Sequence, residues 1–199
     1  YVKDYFKQAD EILNKKLSKI ILEGPKESLD LTENTQPSIF LASFSIFKVL
    51  ERESKLNVKD AKYYAGHSLG EYSALCCAES IDFSQTIELL KFRGRAMQNA
   101  VPKGEGGMIA VLGQEINDLN KFIKDNNNNF QCYIANDNSI GQIVISGKLN
   151  SIKKFGEELK IKKIKFVELP VSAPFHCPLM RKATEEMKIK ILNTKFKNP

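Results

Sequence analysis

A serine between two glycines, Gly66-His67-Ser68-Leu69-Gly70, matches the pattern by which a sharp strand-to-helix turn lifts a hydroxyl clear of a sheet. Ser68 is therefore the candidate nucleophile. So tight a turn leaves no room for bulky neighbours, which accounts for the flanking glycines. The helix that follows would aim its first N–H groups and its positive dipole end at charge developing on a substrate carbonyl. Glu71, three residues after Ser68, has the spacing to satisfy a backbone donor in that helix's first turn.

A serine hydroxyl is a weak nucleophile and needs a base, and the chain has only two histidines, His67 and His176. His67 adjoins Ser68 and would point away from its hydroxyl, so it is either a packed wall residue or part of the site's lining. His176 sits in the loop Ser172-Ala173-Pro174-Phe175-His176-Cys177-Pro178, after the last predicted strand, where the loops of a sheet enzyme gather at one rim. It is the candidate base. The third candidate is Arg93. Ile87, Leu90, Gly94 and Met97 recur at helical spacing, and Arg93 falls within their stripe, whereas Arg95 lies about 200° further round and reads as a solvated charge. An arginine on an apolar face needs an anionic partner. That partner is either a buried carboxylate of this chain or a substrate carboxylate gripped by the planar fork.

These residues need elements to hold them. Tyr1 to Leu22 has helix-like spacing and ends at Gly24-Pro25. A polar lead-in from Leu31 reaches Pro37, which suits a first helical turn. Ile39, Ala42, Ser43, Ile46, Phe47 and Leu50 then mark the buried face of a helix ending near Ser54. Ala61 to Ala65 reads as a strand feeding the Ser68 turn, and a short apolar helix follows through Ala78. Asp82 with Gln85 is a capping-box signature for a helix reaching about Asn99. Beyond Gly107 the pattern becomes strand (Met108 to Leu112), helix (Ile116 to Lys124), strand (Gln131 to Ala135), strand (Gln142 to Ser146), helix (Ser151 to Leu159), strand (Lys163 to Leu169). That β-α-β-β-α-β order is the ferredoxin-like split βαβ unit. Asn126 to Asn129 reads as a solvated loop, and the end of the chain as a helix from about Leu179 running into a strand.

Composition narrows the function classes. The 199 residues hold 30 Lys+Arg against 24 Asp+Glu, a net charge of +6, and are 42% hydrophobic. The chain is too apolar for a disordered segment. Its lysines alternate with acids rather than forming the basic stripe of a nucleic-acid binder. A mildly basic surface suits an acidic protein or a phosphorylated small molecule. Cys76, Cys77, Cys132 and Cys177 contain no C-x-x-C, and two sequence neighbours rarely bridge, so a reducing compartment and no metal are expected. The most apolar run, Pro37 to Leu50, carries Ser38, Ser43, Ser45 and Lys48 and falls short of a membrane span.

Four ordered stretches share one likeness. Gly66-His67-Ser68-Leu69-Gly70-Glu71-Tyr72-Ser73 resembles the active-site segment of malonyl-CoA:acyl-carrier-protein transacylases. Asn34-Thr35-Gln36-Pro37, Arg93 through Pro102, and Val171 through Cys177 are similar to further motifs of that family in the same order, and Asn136 through Gly147 fits as well. The resemblance runs from about Leu31 to Pro199. It implies an α/β fold: a large hydrolase-like subdomain with a parallel sheet and nucleophile elbow over 1–105 and 170–199, interrupted by a small ferredoxin-like subdomain over 106–169. It implies Ser68 as nucleophile, His176 as base, and the Leu69 backbone N–H as one oxyanion donor. Arg93 becomes the clamp on the malonyl carboxylate, with Gln36, Met97, Asn136 and His67 around the substrate. Malonyl-CoA and acyl carrier protein are the implied partners of a monomer that uses no cofactor, no nucleic acid and no membrane. Its compartment would be the cytoplasm, or an organelle of bacterial origin. The family orients its histidine through a backbone carbonyl or amide, which fits Asp118, Asp125 and Asp137 all lying in the inserted block. Phe175, beside His176, favours plain malonyl over bulkier extender units.

Two departures set further expectations. The family's N-terminal strand with its Gly-Gln-Gly turn has no counterpart before Tyr1, and nothing after Pro199 matches its C-terminal Gly-Pro-Gly segment. The chain is thus expected to be a fragment, poorly stable and nearly inactive alone, whose parent is a working transacylase. The alternatives are a serine esterase or thioesterase of α/β-hydrolase type, which needs an acid between Ser68 and His176, a transacylase for another extender unit in polyketide synthesis, and a non-enzymatic binding domain.

Overall fold

The stretch whose spacing suggests one helix, Tyr1 to Leu22, forms two. Helix α1 (Val2–Leu13) stops at Asn14, whose left-handed backbone (φ 45°) ends the run, a conformation asparagine tolerates better than most residues. Helix α2 (Leu17–Glu23) is tied back by Asp10, whose carboxylate accepts the Ser18 N–H at 2.8 Å and the Ser18 hydroxyl at 2.6 Å. A single turn, α3 (Lys26–Leu29), leads into α4 (Thr32–Glu53). The structure is a computed structural model and describes residues 1–199 apart from Lys55, Leu56, Val58, Lys59, Lys103, Asn127, Ser172 and Pro199. Of the sequence features above, Asn127 of the asparagine run, Ser172 of the His176 loop and the final Pro199 lie outside the described residues.

Helix α4 departs from its sequence reading in two ways. It begins at Thr32, so the expected lead-in is already helical and Pro37 stands in the second turn. Asn34 and Thr35 anchor that start, their side chains donating to the carbonyls of Ser28 at 2.7 Å and Leu29 at 2.5 Å. The buried face is also not the expected one. Phe40, Leu41 and Phe44 are buried, while Ile39, Ile46 and Leu50 are 46%, 62% and 45% exposed. The helix is apolar on more than one side, so periodicity alone could not choose between the faces; the aromatic cluster does. Phe40 and Phe44 pack with Tyr5 and Phe83 at ring-centroid distances of 5.1–5.5 Å, each pair adding about 0.5–1.5 kcal/mol beyond its burial.

Helix α5 (Gly70–Cys77) follows the Ser68 turn, and α6 (Phe83–Ala100) begins where the Asp82 carboxylate accepts the Gln85 N–H at 2.7 Å, the expected N-cap bond. Ala61 to Ala65 is not a strand, because a strand is defined by a neighbour's ladder and residues 1–95 contain no strand among the described residues. The parallel sheet expected there is accordingly not seen, and this part of the α/β chain is helical. Its core joins Ala9, Leu17, Phe40, Leu41, Ile87 and Leu90, all fully buried, with Met187.

The second block is the split βαβ unit. Strands β1 (Gly106–Leu112), β2 (Cys132–Ser139), β3 (Gln142–Lys148) and β4 (Phe166–Glu168) form one antiparallel sheet in the order β2-β3-β1-β4, with α7 (Ile116–Asp125) and α8 (Leu149–Ile161) as the connections. Side chains alternate along β1 as the pleat requires. Ile109 and Val111 pack toward α7 and α8, with Leu119, Phe155 and Leu159. Met108 and Ala110 pack on the other face with Val144, Val171 and Phe175. A 3₁₀ turn (Pro178–Met180) precedes α9 (Arg181–Leu192). The expected terminal strand is absent among the described residues. Instead the Lys197 N–H donates to the Ser80 carbonyl, and the Ser80 hydroxyl donates to the Lys197 carbonyl, both at 2.9 Å, a one-residue pairing too short for a ladder. The described residues divide into two compact units, 1–95 with 186–199 and 96–185, and no helix among them is long and apolar enough to cross a membrane.

Candidate active site

Ser68 has a left-handed backbone (φ 53°), which costs an L-residue about 1–2 kcal/mol. Backbone bonds close the turn around it: the Gly70 N–H donates to His67 O at 2.8 Å, Glu71 N–H to Ser68 O at 3.2 Å and Tyr72 N–H to Leu69 O at 3.1 Å. A Cβ at position 66 would overlap the Gly70 carbonyl and the Glu71 nitrogen, whereas one at position 70 would meet nothing within 4 Å. Only the first glycine is sterically demanded. Glu71 is exposed, and the N-cap residue Leu69, already helical at φ −60° and ψ −24°, makes no side-chain cap bond. The expected side-chain cap gives way to the backbone bonds of the turn, and Leu69 stands at the open end of α5, where N–H groups lack intrahelical acceptors.

Arg93 reaches this turn from α6. Its Nη2 donates to Ser68 Oγ at 3.1 Å, and its Nη1 donates to Gln36 Oε1 on α4 at 2.5 Å. The guanidinium carbon lies 5.9 Å from the centre of the Tyr72 ring, within cation–π range. Burial lowers the pKa of Arg93, against Tyr72 and Glu71, which raise it; the group is still cationic at neutral pH. Burial likewise raises the pKa of the Tyr72 hydroxyl, with Arg93 opposing. Among the described residues no carboxylate forms an ion pair with Arg93. The buried-carboxylate reading of this arginine therefore fails: its partners are a neutral amide oxygen and a hydroxyl. Residues 1–95 thus bring three of the predicted site residues, Ser68, Gln36 and Arg93, together. A cavity of about 550 Å³ opens beside Ser68, lined by Ile39, Phe47, Tyr64 and Leu69 and by the exposed His67. A larger one of about 890 Å³ runs along α1 and α2, away from Ser68.

The other predicted residues belong to the second unit. His176 also has a left-handed backbone (φ 55°). Its loop is fixed by Phe175, packed against Met108, Ala110 and Val144, and by Cys177 Sγ on the Pro174 carbonyl at 3.1 Å. Met97 is buried on α6, and Asn136 lies half-buried at a β-bulge of β2, opposite Val144. Asp118 and Asp125 are on α7, across the sheet from the His176 loop, and Asp137 is an exposed β2 residue opposite Ile143. No group of three or more His, Cys, Asp or Glu among the described residues could hold a metal ion.

Sequence reasoning missed two features. Tyr72 sits under Arg93; its place four residues after Ser68, one turn along α5, was the available signal. Arg95, read as merely solvated, is exposed but donates to Glu33 Oε2 at 2.9 Å, and Lys91 and Lys15 reach the same carboxylate, each at 3.5 Å. No local pattern announces that cluster.

Comparison with known proteins places the chain in a family. The acyl transferase domain family matches residues 2–199. The malonyl CoA-acyl carrier protein transacylase of Escherichia coli (strain K12) is 35% identical over 199 residues, which is all of this chain and 63% of that protein. The crystal structure of the acyl-carrier-protein-S-malonyltransferase from Bartonella henselae superposes with a TM-score of 0.92 at 43% identity, covering 98% of this chain and 62% of that one. A type II PKS acyl-carrier protein in complex with its malonyl-transacylase gives a TM-score of 0.91 at 35% identity, over 98% of this chain and 63% of that one. The chain thus spans a little under two thirds of the relatives it matches.

Proposed function

The chain belongs to the acyl transferase domain family, and from that premise we propose that its protein moves a malonyl group from malonyl-CoA to the phosphopantetheine thiol of acyl carrier protein, supplying extender units for fatty-acid synthesis. The observation that carries the reading is the half-buried Arg93 guanidinium, which among the described residues forms no ion pair with a carboxylate and donates to the hydroxyl of a serine on a strained turn. A cationic fork beside a nucleophile suits an acyl group that itself carries a carboxylate. The names of the relatives support the same substrate and acceptor.

In this mechanism His176 takes the Ser68 proton as Oγ attacks the thioester carbonyl. The oxyanion draws on the N–H of Leu69 at the head of α5, and the CoA thiolate leaves with the proton from His176. The thiol of the carrier then attacks the malonyl ester with His176 again as base, which regenerates Ser68. Arg93 exchanges Gln36 and Ser68 for the malonyl carboxylate, while Gln36, Met97, Asn136 and His67 line the substrate. The scheme is ping-pong and needs water kept from the ester. The net charge of +6 suits both the CoA phosphates and an acidic carrier. The division at 105 and 169, a monomeric state and a cytoplasmic setting belong to the same proposal; the four free cysteines support a reducing compartment.

Intact-mass analysis of the full-length protein after incubation with malonyl-CoA tests this. A malonyl adduct is expected, lost in Ser68→Ala and discharged by holo-acyl carrier protein. Rapid release of free malonate without the carrier would instead make the protein a hydrolase.

A further inference from the structure

Arg93 can discriminate a carboxylate only if its fork is held at a fixed distance from Ser68, and the residue that fixes it lies outside every motif of the site. Helices α4 and α6 meet backbone to backbone at Gly94, where a Cβ would stand 2.5 Å from both Glu33 Cα and Thr32 O. At that contact the Glu33 carboxylate accepts from α6 on both sides of Arg93. Lys91 Nζ, two residues before it, lies 3.5 Å from Oε1, and Arg95 Nε, two residues after it, lies 2.9 Å from Oε2. Lys15, from the link between α1 and α2, adds a third cation at 3.5 Å from Oε1. Asn34, 1% exposed, completes the cluster: its Oδ1 accepts from Lys15 at 2.7 Å and Lys91 at 3.4 Å, and its Nδ2 donates to the Ser28 carbonyl. Glu33 precedes Gln36 by three residues, so the two face the same way one turn apart on α4. One carboxylate therefore staples α6 to α4 directly beside the Arg93–Gln36 bond.

We infer that Glu33 is a positioning residue for acyl-group selection: by pinning Lys91 and Arg95 to α4 it sets the register of the Arg93 fork against Gln36 and Ser68. Without its charge, Lys15, Lys91 and Arg95 face one another unneutralised, two of them in a poorly solvated junction, and repulsion separates α6 from α4. The fork then moves while the Ser68 turn, held by its own backbone bonds, stays. The inference rests on the reading of Arg93 as the carboxylate clamp.

The test compares kcat/KM for malonyl-CoA and acetyl-CoA in the full-length protein. Glu33→Gln is expected to lower the malonyl:acetyl ratio about tenfold, a fraction of the hundredfold that a 1 Å misplacement can cost. Glu33→Asp recovers part of it, and Arg95→Gln, at an exposed position, shifts the ratio the same way but less. Arg93→Ala lowers the ratio further, and adding Glu33→Gln to it changes the ratio no more. An equal loss with both substrates, or an unchanged ratio in Glu33→Gln and Arg95→Gln while Arg93→Ala lowers it, overturns the role of Glu33 and leaves the clamp standing. A ratio unmoved by Arg93→Ala overturns the clamp and, with it, this inference.

Discussion

The same chemical change should have opposite effects at two glycines of this chain. At Gly94, in the middle of α6, an alanine Cβ would lie 2.5 Å from Glu33 Cα and Thr32 O and 2.8 Å from Glu33 N, where about 3.5–4.0 Å is comfortable. All three are backbone atoms, so no side chain can swing aside and the helices must part. Such overpacking costs about 1–3 kcal/mol, against which alanine's better helix propensity returns about 0.8–1.0 kcal/mol. Gly94→Ala should therefore be neutral to about 2 kcal/mol destabilising. At Gly70, the first residue of α5, nothing lies within 4 Å of the new methyl, and Gly70→Ala should stabilise by about 0.5–1 kcal/mol. The difference of about 0.5–3 kcal/mol corresponds to roughly 1–12 °C in Tm at ~2–4 °C per kcal/mol, readable by circular dichroism melts at neutral pH. A Gly94→Ala protein that melts with or above Gly70→Ala would refute the close backbone contact on which the α4–α6 junction depends.

Two further outcomes follow from the titrating groups. Burial of Glu33 would raise its pKa, but the Arg95 hydrogen bond and the charges of Lys91 and Lys15 outweigh it and hold the carboxyl below its usual value. A carboxyl depressed in the folded state stabilises above its unfolded pKa and loses that contribution as pH falls through the folded value. The stability gap between the parent protein and Glu33→Gln should thus be full near pH 6 and shrink below about pH 4; urea titrations showing a constant gap would contradict this. Burial pushes the thiol of Cys76 up to about 11 and those of Cys77 and Cys132 to about 12, so at pH 8 they hold almost no thiolate. Iodoacetamide should label the half-buried Cys177 first, as peptide mass spectrometry would report, and earlier labelling of any of the other three would contradict it.

Legibility followed the range of the interactions. The βαββαβ block was readable because its strands are short apolar runs separated by amphipathic helical stretches. The Asp82 cap was readable because its partner, Gln85, is three residues away. Helix α4 was found but turned the wrong way, since Ile39 and Ile46 are as apolar as Phe40 and Phe44, and the Tyr5 and Phe83 rings that decide the matter come from distant segments. Ala61 to Ala65 has strand composition, yet a strand's hydrogen bonds belong to its neighbour. In the site, Ser68 and Arg93 announced themselves by types that are costly where they stand. Lys91 and Glu33 did not, because a lysine and a glutamate 58 residues apart look solvated until the fold brings them together.

The left-handed backbone of Ser68 also bears on how this sequence can drift. Glycine adopts φ 53° without the penalty a serine bears, so a chain selected for folding alone would gain stability by losing its hydroxyl at position 68. The proposed nucleophile is thus one of the residues that selection for stability alone would replace. Copies of this sequence released from selection on the proposed activity should therefore lose the Ser68 hydroxyl while keeping the fold.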